Sequence, residues 1–481
     1  MRAWRITVTI GAVVAATAGL AAMVRRRARG TRADRTLELV KAGSKAGRNY
    51  AAMSLGSAMA SDDRKAEMKA RFELQTAEQV AEMLGNMKGA VMKLGQMASY
   101  LDQGLPEPVR EVLAQLQSDA PPMSFELVTQ VVRAELGGAP DVVFAEFDRS
   151  PLAAASIGQV HRARTHDGVE VAVKVQYPGV DEAIRADLDN ADLLFAAMGM
   201  MFPGMDPKPI VTELRERISE ELDYCVEATN QRRFAAYYEG HPTIRVPRVI
   251  DDLSTARVLT SEYATGAKWS EVLTWSPEQK NLVAETIYRY VFTGLYRMGA
   301  FNGDPHPGNY LFAPDGKVTF LDYGLVKVFT PDEIGRFAEM IISMCIERDI
   351  GRFRKSVEQV GILTDGSRFS DAQVEDYFRH FYELVLDDVT MTITPEYASE
   401  SLRRFFDLSG PHAEMIKSVN LPSSMVIIQR INLGLYALFS ELEATGNWRR
   451  LADEIWPFVG AAPASPMGEA IAEWELSRSP R

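Results

Sequence analysis

The sequence predicts an α+β chain, on three observations. The first is Val169-Glu170-Val171-Ala172-Val173-Lys174-Val175-Gln176, which alternates with period two like a half-buried strand, after a hairpin signal at Asp167-Gly168. The second is a set of long segments rich in helix formers, at 31–122, 212–239, 277–299 and beyond 330. The third is a pair of polar loops, Asp304-Pro305-His306-Pro307-Gly308-Asn309 and Asp322-Tyr323-Gly324, with two short strands expected around Asp322 in 317–329. At 481 residues, 46% apolar and 25% charged, the chain can bury a full core and is sized for a two-lobed enzyme with extensions.

Taken in order, residues 6–24 carry no charge over nineteen positions, close to the roughly 20 that span a bilayer. Arg25-Arg26-Arg27-Ala28-Arg29 follows at once. The positive-inside bias predicts a single N-terminal span in an inner or cytoplasmic membrane, with the bulk of the chain cytoplasmic. A mitochondrial address is the second reading, since no acid precedes Asp34. The basic flank also suits anionic lipid headgroups, at about 1 kcal/mol per residue near the surface. The helical stretch that follows is methionine-rich and is punctuated by Gln103-Gly104-Leu105-Pro106 and by Asp119-Ala120-Pro121-Pro122.

In the 169–176 strand the four valines share one face, and Ala172 and Lys174 share the other, where a base and a phosphate could sit. Residues 159–164 are its expected partner across the turn. In 212–239, Asp223 and Glu227 lie four apart and share a helical face. Leu259-Thr260-Ser261-Glu262-Tyr263 reads as a strand. Residues 425–442 are apolar but carry Gln429, Arg430 and Asn432, so they read as a core helix and not a second span. The stretch after Gly460 is rich in Ala, Pro and Ser and reads as a loose tail.

The two polar loops carry the chemistry. An Asp, an Asn five residues on, and an Asp opening a D-aromatic-G triplet thirteen residues later have the spacing of a protein-kinase active site. ATP is highly anionic, and phosphoryl transfer is mostly positioning and charge neutralisation. In that pattern Asp304 faces the acceptor hydroxyl as base, and Asn309 and Asp322 hold Mg²⁺ on the phosphates. Lys174, in its V-A-V-K context, is the phosphate-binding lysine, and Glu227 is the carboxylate that aims it. His306 is expected to buttress the loop. Where a glycine-rich phosphate loop belongs stand Ala153, Ala154, Ala155, Ser156, Ile157 and Gly158, and three alanines there stiffen the backbone. By analogy, backbone groups at Glu262 and Tyr263 would meet the adenine.

Added to these are Lys93-Leu94-Gly95-Gln96 and Glu221-Leu222-Asp223. With the alanine loop, the G-D-P-H-P-G-N loop and the D-Y-G triplet, they make the chain resemble the UbiB/ADCK (AarF-like) family of atypical kinases, over about 85–330. The resemblance implies a protein-kinase-like two-lobed fold: membrane anchor and basic flank at 1–30, helical extension at 31–122, N-lobe at 123–264, mostly helical C-lobe at 265–460 and flexible tail at 461–481. It implies that the extension folds over the active site, with Lys93 and Gln96 as regulatory residues in the cleft beside Glu221 and Asp223. It implies ATP or ADP with Mg²⁺, and an ATPase or unorthodox kinase serving isoprenoid quinone biosynthesis or lipid homeostasis. Membrane lipid, quinone precursors or quinone-biosynthesis proteins are the implied partners.

Composition excludes other classes. Net charge is −12 and the pI about 5.2, which argues against a nucleic-acid binder. The two cysteines, Cys225 and Cys345, stand far apart and form no zinc pattern; Cys225 is expected as buried filler. Two rival readings are a small-molecule phosphotransferase, disfavoured by the K-x-G-Q segment, and an isoprenoid-lipid binder that uses nucleotide as a switch.

Overall fold

The computed structural model describes residues 123–155, 157–180, 222–303, 305–363, 368–406, 410–419 and 423–478. The expected span, the helical extension with Lys93 and Gln96, and Ser156, Glu221 and Asp304 lie outside the described residues. Among the described residues no helix is long and apolar enough to cross a membrane.

The described residues divide into two compact units, one drawn from those within 123–140, 148–155, 157–161 and 174–180 together with Leu222, the other from those within 141–147, 162–173 and 223–478. In the first, helix α1 (Phe125–Leu136) buries Val128, Val131 and Val132 and ends at Gly137, whose φ of 78° lets its N–H reach the Arg133 carbonyl at 3.1 Å. Strand β1 (Ala153–Ala155) folds back antiparallel on β2 (Gly158–Arg164), with Ala155 opposite Gly158 and Ala153 opposite Val160. Both β2 and β3 (Glu170–Gln176) run from one unit into the other. They belong to a five-stranded sheet ordered Glu146–Phe147, β2, β3, β4 (Val258–Glu262), with β1 also on β2. The turn at Asp167-Gly168 is as expected, with Gly168 at φ 89°. Val171, Val173 and Val175 are fully buried; Val169 precedes the strand and is exposed.

In the second unit, helix α2 (Tyr224–Tyr237) starts at Asp223, whose side chain accepts from the Cys225 N–H at 2.9 Å. Asp223 is therefore the N-cap, with extended backbone, and precedes the helix that carries Glu227. The buried positions are Tyr224, Glu227, Ala228, Gln231 and Phe234, a stripe of helical period. Cys225 falls off that stripe and is exposed, which corrects its reading as core filler. Helix α3 (Pro277–Thr293) opens with a capping box, Ser276 with Gln279, and Pro277 at its first position. A wide turn at Gly294–Met298 leads into β5 (Ala300–Asn302).

Strands β6 (Tyr310–Phe312) and β7 (Val318–Phe320) form a hairpin with Tyr310 opposite Phe320, and Ile244–Arg245 pairs parallel with β7. Strand β8 (Val326–Val328) then returns antiparallel on β5, with Val326 opposite Asn302. Helices make up most of the rest, and one continuous core joins Phe234, Tyr290, Phe320, Phe353, Phe439 and Trp448. Helix α4 (Ser423–Leu442) is the expected core helix, burying Ile431, Leu435, Phe439 and Leu442. After α5 (Trp448–Ile455), composition predicted a loose tail; instead Pro466–Arg478 is a helix, α6.

Candidate nucleotide and metal site

Strand β7 delivers the second aspartate. The Leu321 N–H donates to the Asn309 carbonyl at 2.9 Å, one step beyond the Tyr310–Phe320 pair. The β6–β7 register thus places Asn309 and Asp322 at the same end of one hairpin. Asp322 is fixed twice more: its Oδ1 accepts from the Gly324 N–H at 2.9 Å, and its carbonyl accepts from Asn302 Nδ2 at 2.6 Å. The next peptide is held as well, because the Tyr323 carbonyl accepts from Asn230 Nδ2 of α2 at 3.1 Å.

Tyr323 takes the place where many kinases have Phe, and its packing shows how the hydroxyl is accommodated. The side chain is 0% exposed, its ring 5.1 Å from Phe234. Its hydroxyl lies 3.3 Å from that of Tyr290, within hydrogen-bond distance. Burial pushes its pKa well above the usual tyrosine value, so it stays neutral. The buried ring anchors the triplet while the preceding carboxylate sits at the strand end.

On the first polar loop, His306 turns its ring back: Nδ1 accepts from the Gly308 N–H at 3.1 Å, and the Asn309 N–H donates to the His306 carbonyl at 3.0 Å. In the first turn of α2, Glu227 is 5% exposed. A carboxylate so buried must be compensated, and the positive end of the helix is part of that compensation. In the other unit Lys174 is half-buried on the face of β3 that it shares with Ala172.

The alanine segment is an extended hairpin arm, with Ala153 and Ala154 exposed and Ala155 half-buried. Ile157 and Gly158, expected to help cover phosphates, are instead buried, and the Ile157 carbonyl accepts from the Tyr177 N–H at 2.9 Å. Beyond them Gln159 is a clamp: it accepts from the Met123 N–H at 2.9 Å and donates to the Met123 carbonyl at 3.3 Å. Its amide also lies 2.9 Å from His161 Nε2, while His161 Nδ1 lies 2.7 Å from the Asp148 carbonyl. A carbonyl can only accept, so Nδ1 carries the proton, and burial lowers the His161 pKa and keeps the ring neutral.

At the expected adenine position, Glu262 and Tyr263 have their backbone donors already engaged. Their N–H groups donate to the Arg248 and Glu170 carbonyls, both at 2.9 Å, and the Glu262 carboxylate pairs with Arg248 at 2.6 Å. Three residues that the sequence reading passed over, Asn230, Asn302 and Tyr290, hold the triplet in place. Asn230 had a signal, since Asn is a poor helix former in mid-helix. Asn302 ends β5, buried.

Residues 115–357 match the family described as ABC1 atypical kinase-like domain. The chain is 30% identical to the atypical kinase COQ8, mitochondrial, of Saccharomyces cerevisiae, over 62% of this chain and 60% of that protein. It is 32% identical to the rat atypical kinase COQ8B, mitochondrial, over 62% and 57% respectively, so it spans about three-fifths of these two relatives. The Drosophila melanogaster AarF domain-containing kinase 1 is 31% identical over 87% of this chain and 80% of that one. Among solved structures, the Rv3197–erythromycin complex from Mycobacterium tuberculosis matches at TM-score 0.60 and 31% identity, covering 82% of this chain and all of that one. This chain belongs to the ABC1 atypical kinase-like family, the UbiB/ADCK group expected from its motifs.

Proposed function

We propose that the chain is a membrane-associated, Mg²⁺-dependent atypical kinase or ATPase that binds ATP or ADP. The observation that carries this reading is Asp322, fixed at a strand end by three hydrogen bonds around it and its neighbour, on the same hairpin end as Asn309. A carboxylate and an amide are oxygen donors of the kind Mg²⁺ takes when phosphate and water complete its shell, so the residues fit the ion. When bound, Mg²⁺ would neutralise phosphate charge. Lys174 would meet the phosphates, with Glu227 as the carboxylate assigned to it, and Ala153, Ala154 and Ala155 would line the nucleotide's approach. Asp304 would take the proton of the attacking water or hydroxyl as the terminal phosphoryl group leaves ADP. Lys93, Gln96, Glu221 and Asp223 are the proposed regulatory set.

The apolar N-terminus with its arginines supports attachment to a cytoplasmic membrane, and the names of the COQ8 relatives favour the mitochondrial alternative. Those names also support a role in ubiquinone or related isoprenoid quinone biosynthesis. The erythromycin complex of the mycobacterial relative favours a second reading, a nucleotide-switched binder of bulky apolar molecules with little turnover.

The test is steady-state ATP hydrolysis by the full chain in detergent and in anionic liposomes, with and without Mg²⁺, beside Asp322→Asn. Mg²⁺-dependent turnover that Asp322→Asn abolishes supports the enzyme. Nucleotide binding with no turnover in wild type moves the conclusion to the switch. Wild-type Mg²⁺–ATP binding and hydrolysis by Asp322→Asn would refute the metal assignment.

A further inference from the structure

Three side chains reach the Asp322-Tyr323-Gly324 segment or its flank from elsewhere in the fold: Asn302 from β5, Tyr290 from α3 and Asn230 from α2. Asn230 differs from the other two in the element that carries it. It lies three residues beyond Glu227, so the two share one face of α2. Glu227 is buried on that face, and the Asn230 amide crosses to the Tyr323 carbonyl at 3.1 Å. The backbone atom it holds belongs to the Tyr323–Gly324 peptide, whose N–H donates to Asp322 Oδ1 at 2.9 Å, so movement along or about the α2 axis would reach the carboxylate through that hydrogen bond. An asparagine in the second turn of a helix lowers helix propensity. The tertiary hydrogen bond accounts for its presence there.

We propose that Asn230 is a positioning residue for the metal site: it ties the helix bearing Glu227 to the strand end bearing Asp322, so that the two carboxylates are set together. This rests on the Mg²⁺–nucleotide reading of Asp322. Asn230 touches neither nucleotide nor metal and acts through the Tyr323 carbonyl. Its loss therefore affects metal-dependent binding and leaves metal-free nucleotide binding alone. The amide is one donor to one carbonyl, and losing it should raise the half-saturating Mg²⁺ concentration about tenfold.

The experiment is an Mg²⁺ titration of ADP and ATP binding, by calorimetry, on the full chain in detergent. Asn230→Leu removes the donor at similar volume, and Asn230→Ser serves if the leucine variant does not fold. Asp322→Asn and the double variant Asn230→Leu/Asp322→Asn complete a cycle. The expected result is a right-shifted Mg²⁺ dependence for Asn230→Leu, unchanged affinity in EDTA, and no added effect of Asn230→Leu once Asp322 is gone. A merely structural role would weaken binding with and without Mg²⁺ alike, and would add to Asp322→Asn; either result overturns the proposal. Wild-type Mg²⁺ dependence with an unshifted Asn230→Leu overturns it too while sparing the functional reading. No Mg²⁺ dependence in wild type overturns that reading and the proposal with it.

Discussion

Replacing Gly434 with alanine should separate stability from activity. Gly434 lies within the twenty-residue helix α4, and a Cβ there would fall 2.5 Å from Pro305 Cγ and 3.4 Å from Pro305 Cβ. Ordinary contact begins at 3.4 Å, so helix or loop must give by about 1 Å. Alanine for glycine in a helix interior gains about 1 kcal/mol in propensity, while forcing a methyl into a filled space costs about 1–3 kcal/mol. The net change in stability should therefore lie between zero and a loss of about 2 kcal/mol. Pro305 is a rigid ring between Asp304 and His306, so the push goes into the catalytic loop. A displacement of about 1 Å there can cost on the order of 100-fold in turnover. Urea unfolding and steady-state ATP hydrolysis on the same preparation measure the two effects. A variant about 1 kcal/mol more stable than wild type with unchanged turnover would show that α4 does not press on the loop, and would refute the reasoning.

Two further outcomes are expected of the same fold. Arg289→Leu should cost about 3–5 kcal/mol in urea unfolding, because the 4%-exposed guanidinium pairs with Glu285 at 2.8 Å and Glu454 at 2.9 Å, and its loss strands buried carboxylates. Arg289→Leu/Glu454→Leu should recover part of that loss, and no recovery would mean that packing, not charge, sets the cost. Stability should also fall in mild acid through His241. Its Nδ1 accepts from the Thr243 and Ile244 N–H groups at 3.2 and 2.9 Å, and burial, then Arg289 and Arg478, lower its pKa to about 3. The unfolded imidazole binds its proton near pH 6.5 and the folded one does not, so the contribution is complete above about pH 6.5 and is lost as pH falls toward 3. The loss is about 2 kcal/mol by pH 5. His241→Asn, which keeps an acceptor near Nδ1, should flatten the change in urea midpoint between pH 7 and pH 5, leaving a smaller slope from His161, whose pKa is also lowered by burial. An unchanged slope would show that His241 is not the group responsible.

What the sequence revealed was local and periodic. The valines of β3, the Asp167-Gly168 turn, the strands around Asp322 and the core helix α4 all follow from spacing that neighbouring residues impose on one another. The hairpin end that carries Asn309 and Asp322 follows from the same kind of local spacing. What escaped depended on where a helix begins or on partners distant in the chain. Asp223 and Glu227 are four apart, but a helix that starts at Tyr224 makes Asp223 a cap and turns Cys225 outward. Glu262 and Tyr263 occupy the expected strand end, yet their N–H groups are committed to Arg248 and Glu170, pairings that only the sheet determines. Asn230 and Asn302 reach the triplet across 93 and 20 residues, and no local pattern marks such contacts.

The last helix makes the same point at the level of the lobe. A helix leaves its final carbonyls without partners, and a cation at that end suits its dipole. At the end of α2 those needs are met by α6: Arg478 donates to the Tyr237 carbonyl and, at 3.2 Å, to that of Ala236, while Trp474 donates to Glu239 at 2.9 Å. Arg297 holds Glu475, and Ser465, just before α6, bonds both Glu285 and Arg289. The helix that carries Glu227 is thus closed at its start by Asp223 and at its end by Trp474 and Arg478 of α6. The family match stops at 357, but the core shared by Phe234, Tyr290, Phe320 and Tyr323 continues through Phe439, Trp448 and Trp456. Residues 358–478 therefore belong to the folding unit of the site, and the alanine- and proline-rich composition after Gly460 describes only the short connection into the helix that completes it.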